Sequence, residues 1–204
     1  MDSRQSQVRD ARPDESAAVA ALLASVYGAF RARFPADAWE RYLGEIVDVE
    51  SRLADSELIV ADHDGELVGT VGFYPEATRS ALEHWPENWA SIRALAVRAD
   101  ARGLGIGTAL GAECVRRAKE CGARAIGLHT ASFMTAATRL YEGLGFRRRP
   151  GDDIEIGEMF TGRPLPAEFS WQAQAYWLDL AKERSSWTSA CSSVPARGLP
   201  ARPA

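Results

Sequence analysis

Ile92-Arg93-Ala94-Leu95-Ala96-Val97-Arg98-Ala99-Asp100-Ala101-Arg102-Gly103-Leu104-Gly105-Ile106-Gly107-Thr108-Ala109-Leu110 reads as a buried strand, a glycine-rich turn and the start of a helix. Gly103, Gly105 and Gly107 carry no side chain to cover the backbone N–H groups of the turn. The helix adds its own unpaired N–H groups and the positive end of its dipole. Such a turn binds anions, phosphate and pyrophosphate among them. Arg102 brings a formal positive charge to the same place. A phosphate-bearing nucleotide or coenzyme is therefore the expected ligand.

Spacing narrows the choice. A P-loop requires Lys-Ser/Thr after its last glycine, and no Lys follows a glycine in this stretch. The dinucleotide fingerprint G-x-G-x-x-G fails as well, because its sixth position falls on Thr108 counted from Gly103 and on Leu110 counted from Gly105. A second block lies downstream. Ala125-Ile126-Gly127-Leu128-His129-Thr130 reads as a strand. Phe133 to Leu144 reads as a helix with Met134, Ala137, Tyr141 and Leu144 on one stripe. Gly145 fits a left-handed helix stop, and Phe146 opens another strand.

Two motifs in this order and at this separation carry a resemblance. Arg102-Gly103-Leu104-Gly105-Ile106-Gly107 resembles the Gln/Arg-x-x-Gly-x-Gly/Ala acetyl-CoA loop of the GNAT N-acetyltransferase superfamily. Leu140-Tyr141-Glu142-Gly143-Leu144-Gly145-Phe146 is similar to the Leu-Tyr-x-x-x-Gly-Phe ending of that family's core. The resemblance implies an α/β fold with a mixed, mostly antiparallel central sheet flanked by helices. In it two central strands splay apart and admit the pantetheine arm of the coenzyme. It implies acetyl transfer from acetyl-CoA, as co-substrate, to a primary amine by direct attack in a ternary complex. Leu95, Ala96 and Val97 would hold the coenzyme by their backbone. Arg102, Gly103, Leu104, Gly105, Ile106, Gly107 and Thr108 would hold its phosphates, and Met134, Ala137 and Tyr141 would also contact the coenzyme, Tyr141 close to the thioester sulfur. Tyr141 is the expected general acid, since a phenol near a reference pKa of about 10 can share a proton with a leaving thiolate. A backbone N–H near Val97 would serve the oxyanion.

Two departures from the family pattern stand out. No carboxylate occupies the strand before the glycine turn, where Ser91 and Arg93 take the inward positions. Glu87 is the candidate base, with His84 and Glu76 also preceding that strand. Met134 stands where relatives often carry an Asn that contacts the coenzyme. These departures keep a second reading open: a catalytically silent GNAT-fold module that binds acyl-CoA. Phe30, Phe34, Trp39, Trp85 and Trp89 are candidates to line an acceptor pocket, and Glu76, Glu83 and Glu87 to hold an amine cation.

The remaining composition agrees. The chain has 204 residues, 46% hydrophobic, with a net charge of -4. That balance argues against bulk nucleic-acid binding. No apolar run is long enough to cross a bilayer. The opening Met1-Asp2-Ser3-Arg4-Gln5 does not read as a secretory signal, so a cytoplasmic location is expected. Cys114, Cys121 and Cys191 and His63, His84 and His129 show no ligand spacing, and no metal is expected. The element order reads β-α-α-β-β-β-α-β-α-β-β, with a single second helix from Ala36 to Leu53, an Asp64-Gly65 hairpin and a last strand over Gly151 to Phe160. Residues 1–160 form the expected acetyltransferase domain. Residues 161–184, rich in aromatic side chains, read as a helix packed back on the domain or forming a homodimer contact. Residues 185–204 read as a disordered tail.

Overall fold

The computed structural model describes residues 6–80, 83–156, 160, 169 and 172–181. An eight-stranded sheet runs through the molecule. The chain opens with β1 (Ser6–Asp10), α1 (Ser16–Gly28), α2 (Ala36–Val47) and the short α3 (Val49–Arg52). The strands β2 (Glu57–His63), β3 (Glu66–Tyr74) and β4 (Trp89–Val97) follow. Then come α4 (Ile106–Glu120), β5 (Ala125–Ala131), α5 (Thr135–Gly143), β6 (Arg147–Arg148), β7 (Ile154–Glu155) and β8 (Gln172–Asp179). The strand order is β1-β2-β3-β4-β5-β8-β6, with β7 also paired to β8. All pairs are antiparallel except β4 with β5.

Strand alternation sorts the core into two layers. Ile59 and Ala61 of β2 pack with Ile106, Leu110, Cys114 and Ala118 of α4. Val60 between them packs with Val19 and Leu23 of α1 and with Trp39 and Tyr42 of α2. The helices therefore cover opposite faces. The β2–β3 hairpin turns on Asp64 at φ 52° and Gly65 at φ 81°, two left-handed residues as a tight I′ turn requires. Gly145 takes φ 91° just after α5, the left-handed stop expected there.

Three expectations need correction. The single helix from Ala36 to Leu53 is two helices. At Asp48 the backbone leaves the helical region, and the Asp48 carboxylate accepts a hydrogen bond from the Ser51 N–H at 3.2 Å. A short polar side chain that caps a new turn competes with continuing the old one. Within the aromatic stretch expected as a helix, Gln172–Asp179 form the strand β8, which lies between β5 and β6, next to last in the strand order. Its seven pairs with β5 run from Ala125↔Asp179 to Ala131↔Ala173. The last strand of the core thus comes from beyond residue 160. Among the described residues of the strand expected over Gly151 to Phe160, only the two of β7 are strand. The tail expected at 185–204 lies outside the described residues.

Candidate active site

The two central strands part company. β4 and β5 pair only from Trp89↔Ala125 to Ile92↔Leu128. Beyond Ile92, β5 continues against β8 alone, and the β4 edge facing it is left open. The cause lies two residues on. Ala94 sits at φ 53°, and the β3–β4 register jumps from Thr70↔Ala96 to Gly72↔Arg93. This is a β-bulge, one extra residue that bends the strand. It also reverses side-chain parity. Ala90 and Ile92 face the α4 layer before the bulge, and Leu95 and Val97 face it after. A non-glycine residue held at positive φ costs about 1–3 kcal/mol, and such strain gathers at functional sites.

The glycine turn closes one end of this gap. Gly103 at φ 81° and Gly105 at φ 78° adopt backbone that side chains disfavour, and open space surrounds the position of a Cβ at each. Gly105 directly precedes α4. Among the described residues, the N–H groups of 103–108 donate to no protein acceptor. Arg102 is exposed, its Nε 3.4 Å from the Val97 carbonyl oxygen. Leu104, also exposed, is a large apolar side chain standing out from the turn. Ile106 and Ala96 are buried, so of these two residues only the backbone is free to meet a ligand.

Gly107 serves the packing of helices as well. A Cβ there would come within 2.6 Å of Leu140 Cδ1 and 3.6 Å of Val97 Cγ2. At Gly111 it would meet Leu144 Cδ1 at 2.5 Å. The two glycines let α4 settle on α5 beside the open half of β4. Thus the structure brings together Leu95, Val97, Gly107 and the α5 segment that the sequence marked separately.

The other end of the gap is a cavity of about 100 Å³. Its walls include Tyr27 and Tyr42, Glu45 of α2, Arg93 and Ala94 of β4, and Met134. Glu83, His129 and Thr130 are also part of it. Arg93 Nη2 donates to Glu45 Oε1 at 3.1 Å. The His129 Nε2 lies 2.9 Å from the Asp152 carbonyl oxygen, and Nδ1 lies 3.3 Å from Glu83 Oε1 without hydrogen-bond geometry. Trp85 Nε1 donates to Glu83 Oε2 at 2.7 Å.

Met134, Ala137 and Tyr141 follow one another at helical spacing, so they share a stripe that begins at the cavity. Tyr141 is 5% exposed and packs on Phe146, with ring centroids 5.8 Å apart. Burial pushes its phenol well above the usual tyrosine range, so it stays protonated. Burial raises Tyr27, which lines the cavity, to about 12.

Several residues fall elsewhere. Glu87 is exposed in the turn before β4 and does not line the cavity, and neither do His84 and Glu76. Phe34, Trp39, Trp85 and Trp89 are buried core side chains. Sequence reading missed His129 as a member of the site. The one available signal was strand parity, which puts Gly127 and His129 on the same face of β5. Among the described residues, no three potential metal ligands gather. No described helix is long and apolar enough to cross a membrane.

Comparison with known proteins agrees with this geometry. Residues 22–146 match the family described as "Acetyltransferase (GNAT) family". The chain belongs to that acetyltransferase family. It is 33% identical over 133 residues to the "Probable N-acetyltransferase camello" of Xenopus tropicalis, which covers 64% of this chain and 57% of the relative. The chain thus spans little more than half of that relative's length. A GCN5-related N-acetyltransferase from Kribbella flavida superposes with a TM-score of 0.62 at 26% identity, over 86% of this chain and 98% of that one. A Bacillus subtilis acetyltransferase solved in complex with CoA superposes with a TM-score of 0.58 at 19% identity, over 87% and 99%.

Proposed function

We propose that this protein acetylates a primary amine, with acetyl-CoA as co-substrate. The observation that carries the reading is the splay at Ile92↔Leu128. It joins a turn of free N–H donors to a cavity containing polar side chains in one continuous gap between β4 and β5. Family membership and the CoA complex of the Bacillus subtilis neighbour support it.

The residues present fit the coenzyme. The N–H groups at 103–108 suit a pyrophosphate, and the open edge of β4 at Leu95 to Val97 suits an amide-bearing arm that pairs like a strand. When bound, acetyl-CoA supplies an activated thioester. The chain positions the amine in the cavity and offers a β4 N–H near Val97 to the oxygen on which charge develops. The new C–N bond forms as the C–S bond breaks, and the departing sulfur takes a proton. Tyr141 is the donor in this reading, held protonated by its burial. The cavity, about 100 Å³, is where the reacting amine would sit.

Calorimetry with acetyl-CoA, followed by thiol release over a panel of primary amines, tests this. Binding with amine-dependent release is the expected result. Binding without release on any amine would favour the silent acyl-CoA module. Tyr141→Phe should leave acetyl-CoA affinity within twofold and lower kcat about tenfold or more. An unchanged kcat would remove Tyr141 as the acid. Gly105→Val forces a β-branched side chain into φ 78°. At a cost of about 1–3 kcal/mol the turn will re-form elsewhere. Acetyl-CoA affinity should then fall about tenfold or more, with only a small change in melting temperature.

A further inference from the structure

We infer that Glu83 and His129 together form the proton acceptor that makes the amine nucleophilic, an inference that rests on the amine-acetylation reading above. Both side chains are more than nine-tenths buried, at 7% and 8% exposure, and both line the cavity. A buried carboxylate and imidazole facing the same small space are rarely there for packing.

Hydrogen bonding fixes the histidine tautomer. The Asp152 carbonyl only accepts, so the bond at 2.9 Å places a proton on His129 Nε2. Nδ1 of the neutral ring then carries a lone pair. That lone pair lies 3.3 Å from Glu83 Oε1, an arrangement that repels until a proton enters between them. Nδ1 has no hydrogen-bond partner, and neither has Thr130 Oγ1, another buried polar atom of the cavity wall. The pair is therefore a vacancy for one proton at the wall of the acceptor space. An alkylammonium entering the cavity gives up one N–H proton to this pair and becomes the neutral nucleophile. Other charged and titratable groups face the pair from the surrounding elements. These are Arg93 on β4, Glu45 and Tyr42 on α2, Tyr27 on α1, Tyr141 on α5 and Asp153 before β7. Arg93 is held by Glu45, and the Asp153 carboxylate accepts from Arg148 and the Ala175 N–H. The partners already engaged leave Glu83 and His129 as the basic groups without one between them.

Trp85 is a positioning residue for this pair. Its N–H holds Glu83 Oε2, and its ring lies 4.7 Å from the His129 ring.

The test uses the full chain with acetyl-CoA and whichever panel amine is turned over. Glu83→Gln and His129→Gln should each lower kcat about 100-fold, with acetyl-CoA affinity within twofold of wild type. The two losses together should be far from additive. The deficit should shrink as pH rises and the free amine loses its proton in solution. Trp85→Phe, which keeps an aromatic ring and removes the donor, should fall between wild type and Glu83→Gln. Wild-type rates in both Gln variants would overturn the inference alone. No turnover by the wild-type chain would overturn the amine-acetylation reading with it. Ring-nitrogen NMR on the wild-type chain requires no variant to fold. The expected result is His129 in the Nε2–H form, and an Nδ1–H tautomer there would overturn the inference.

Discussion

Arg9→Met will destabilise the protein by about 3 kcal/mol, the lower end of the cost of breaking a buried ion pair. Arg9 Nη1 and Nη2 each donate to one oxygen of Glu15 at 2.8 Å, and Nε donates to Asp62 at 2.7 Å. Glu15 is 7% exposed. Methionine keeps the length of the stem but leaves that carboxylate beneath the surface without its fork. The cost stays at the lower end because the Arg12 N–H still donates to Glu15 at 2.6 Å and the Arg12 guanidinium stays 2.7 Å away. The bonds tie the segment entering α1 to the first two strands. Their effect also has a pH signature. The Arg9 hydrogen bonds, more than any other contact, hold Glu15 down from its ordinary 4.5 to about 2. A carboxyl depressed on folding stabilises fully above its unfolded value and loses that contribution as pH falls through its folded value. The wild type should therefore lose stability between about pH 4.5 and pH 2. Arg9→Met should lose less over the same range, so the two urea midpoints converge in acid. A difference that is constant from pH 7 to pH 3 would place the effect of Arg9 in packing instead of charge. Arg9→Met with Glu15→Gln should recover part of the loss at pH 7.

The glycine turn, the α5 stripe and the β2–β3 hairpin were legible because each depends on neighbours in sequence. Positive φ at Gly105, Gly145 and Asp64-Gly65 is a local demand that particular residue types announce. The place of β8 was not legible. Its Ala173, Ala175 and Tyr176 are buried, while Trp177 and Leu178 on its two faces are partly so. A strand between two others is apolar on both sides, and its periodicity does not separate it from a buried helix. The bulge at Ala94 was hidden for a different reason. Alanine is not a residue that advertises a left-handed backbone, and the surrounding sheet imposes the conformation. Glu87 was singled out because sequence proximity to β4 was the available guide, and the structure leaves it exposed and outside the cavity. Glu83 and His129 meet only when β4 and β5 pair in parallel and Trp85 folds across them. Glu83 and His129 lie 46 positions apart in the chain, and no motif spacing encodes their meeting.

Gly127→Ala will lower stability by about 2 kcal/mol and disable the site at the same time. A Cβ at Gly127 would lie 2.7 Å from Trp85 Cε2 and 2.8 Å from Cδ2 and Cζ2. Trp85 is 4% exposed and stacks on Trp89, with centroids 5.5 Å apart and planes 15° apart. Trp89 stacks in turn on Trp177 at 5.4 Å, and the Arg149 guanidinium lies over both rings. An indole clamped in such a stack cannot move by rotating one bond, so the whole ladder must shift. Overpacking of this kind costs about 1–3 kcal/mol. Restricting the unfolded chain returns only about 0.4–1 kcal/mol, so the destabilising sign wins. The melting temperature should fall by about 4–8 °C. Gly107→Ala supplies the contrast. Its Cβ would come closer still, at 2.6 Å, but the obstacle is Leu140 Cδ1, the free end of a flexible and only partly buried side chain. That variant should lose less than half as much stability, although the bare distances rank the two the other way. The functional consequence of Gly127→Ala follows from the same ring. Displaced from β5, Trp85 no longer donates to Glu83 at 2.7 Å or lies against His129. Acetyl-CoA affinity should hold within about twofold, since the glycine turn lies at the other end of the gap, while kcat falls by about tenfold or more. Combining Gly127→Ala with Trp85→Leu should destabilise by less than the sum of the two single changes, because the clash needs both partners. Strict additivity in that cycle would mean that Gly127 and Trp85 do not press on each other, and the stack would have to hold Glu83 in place by some other contact.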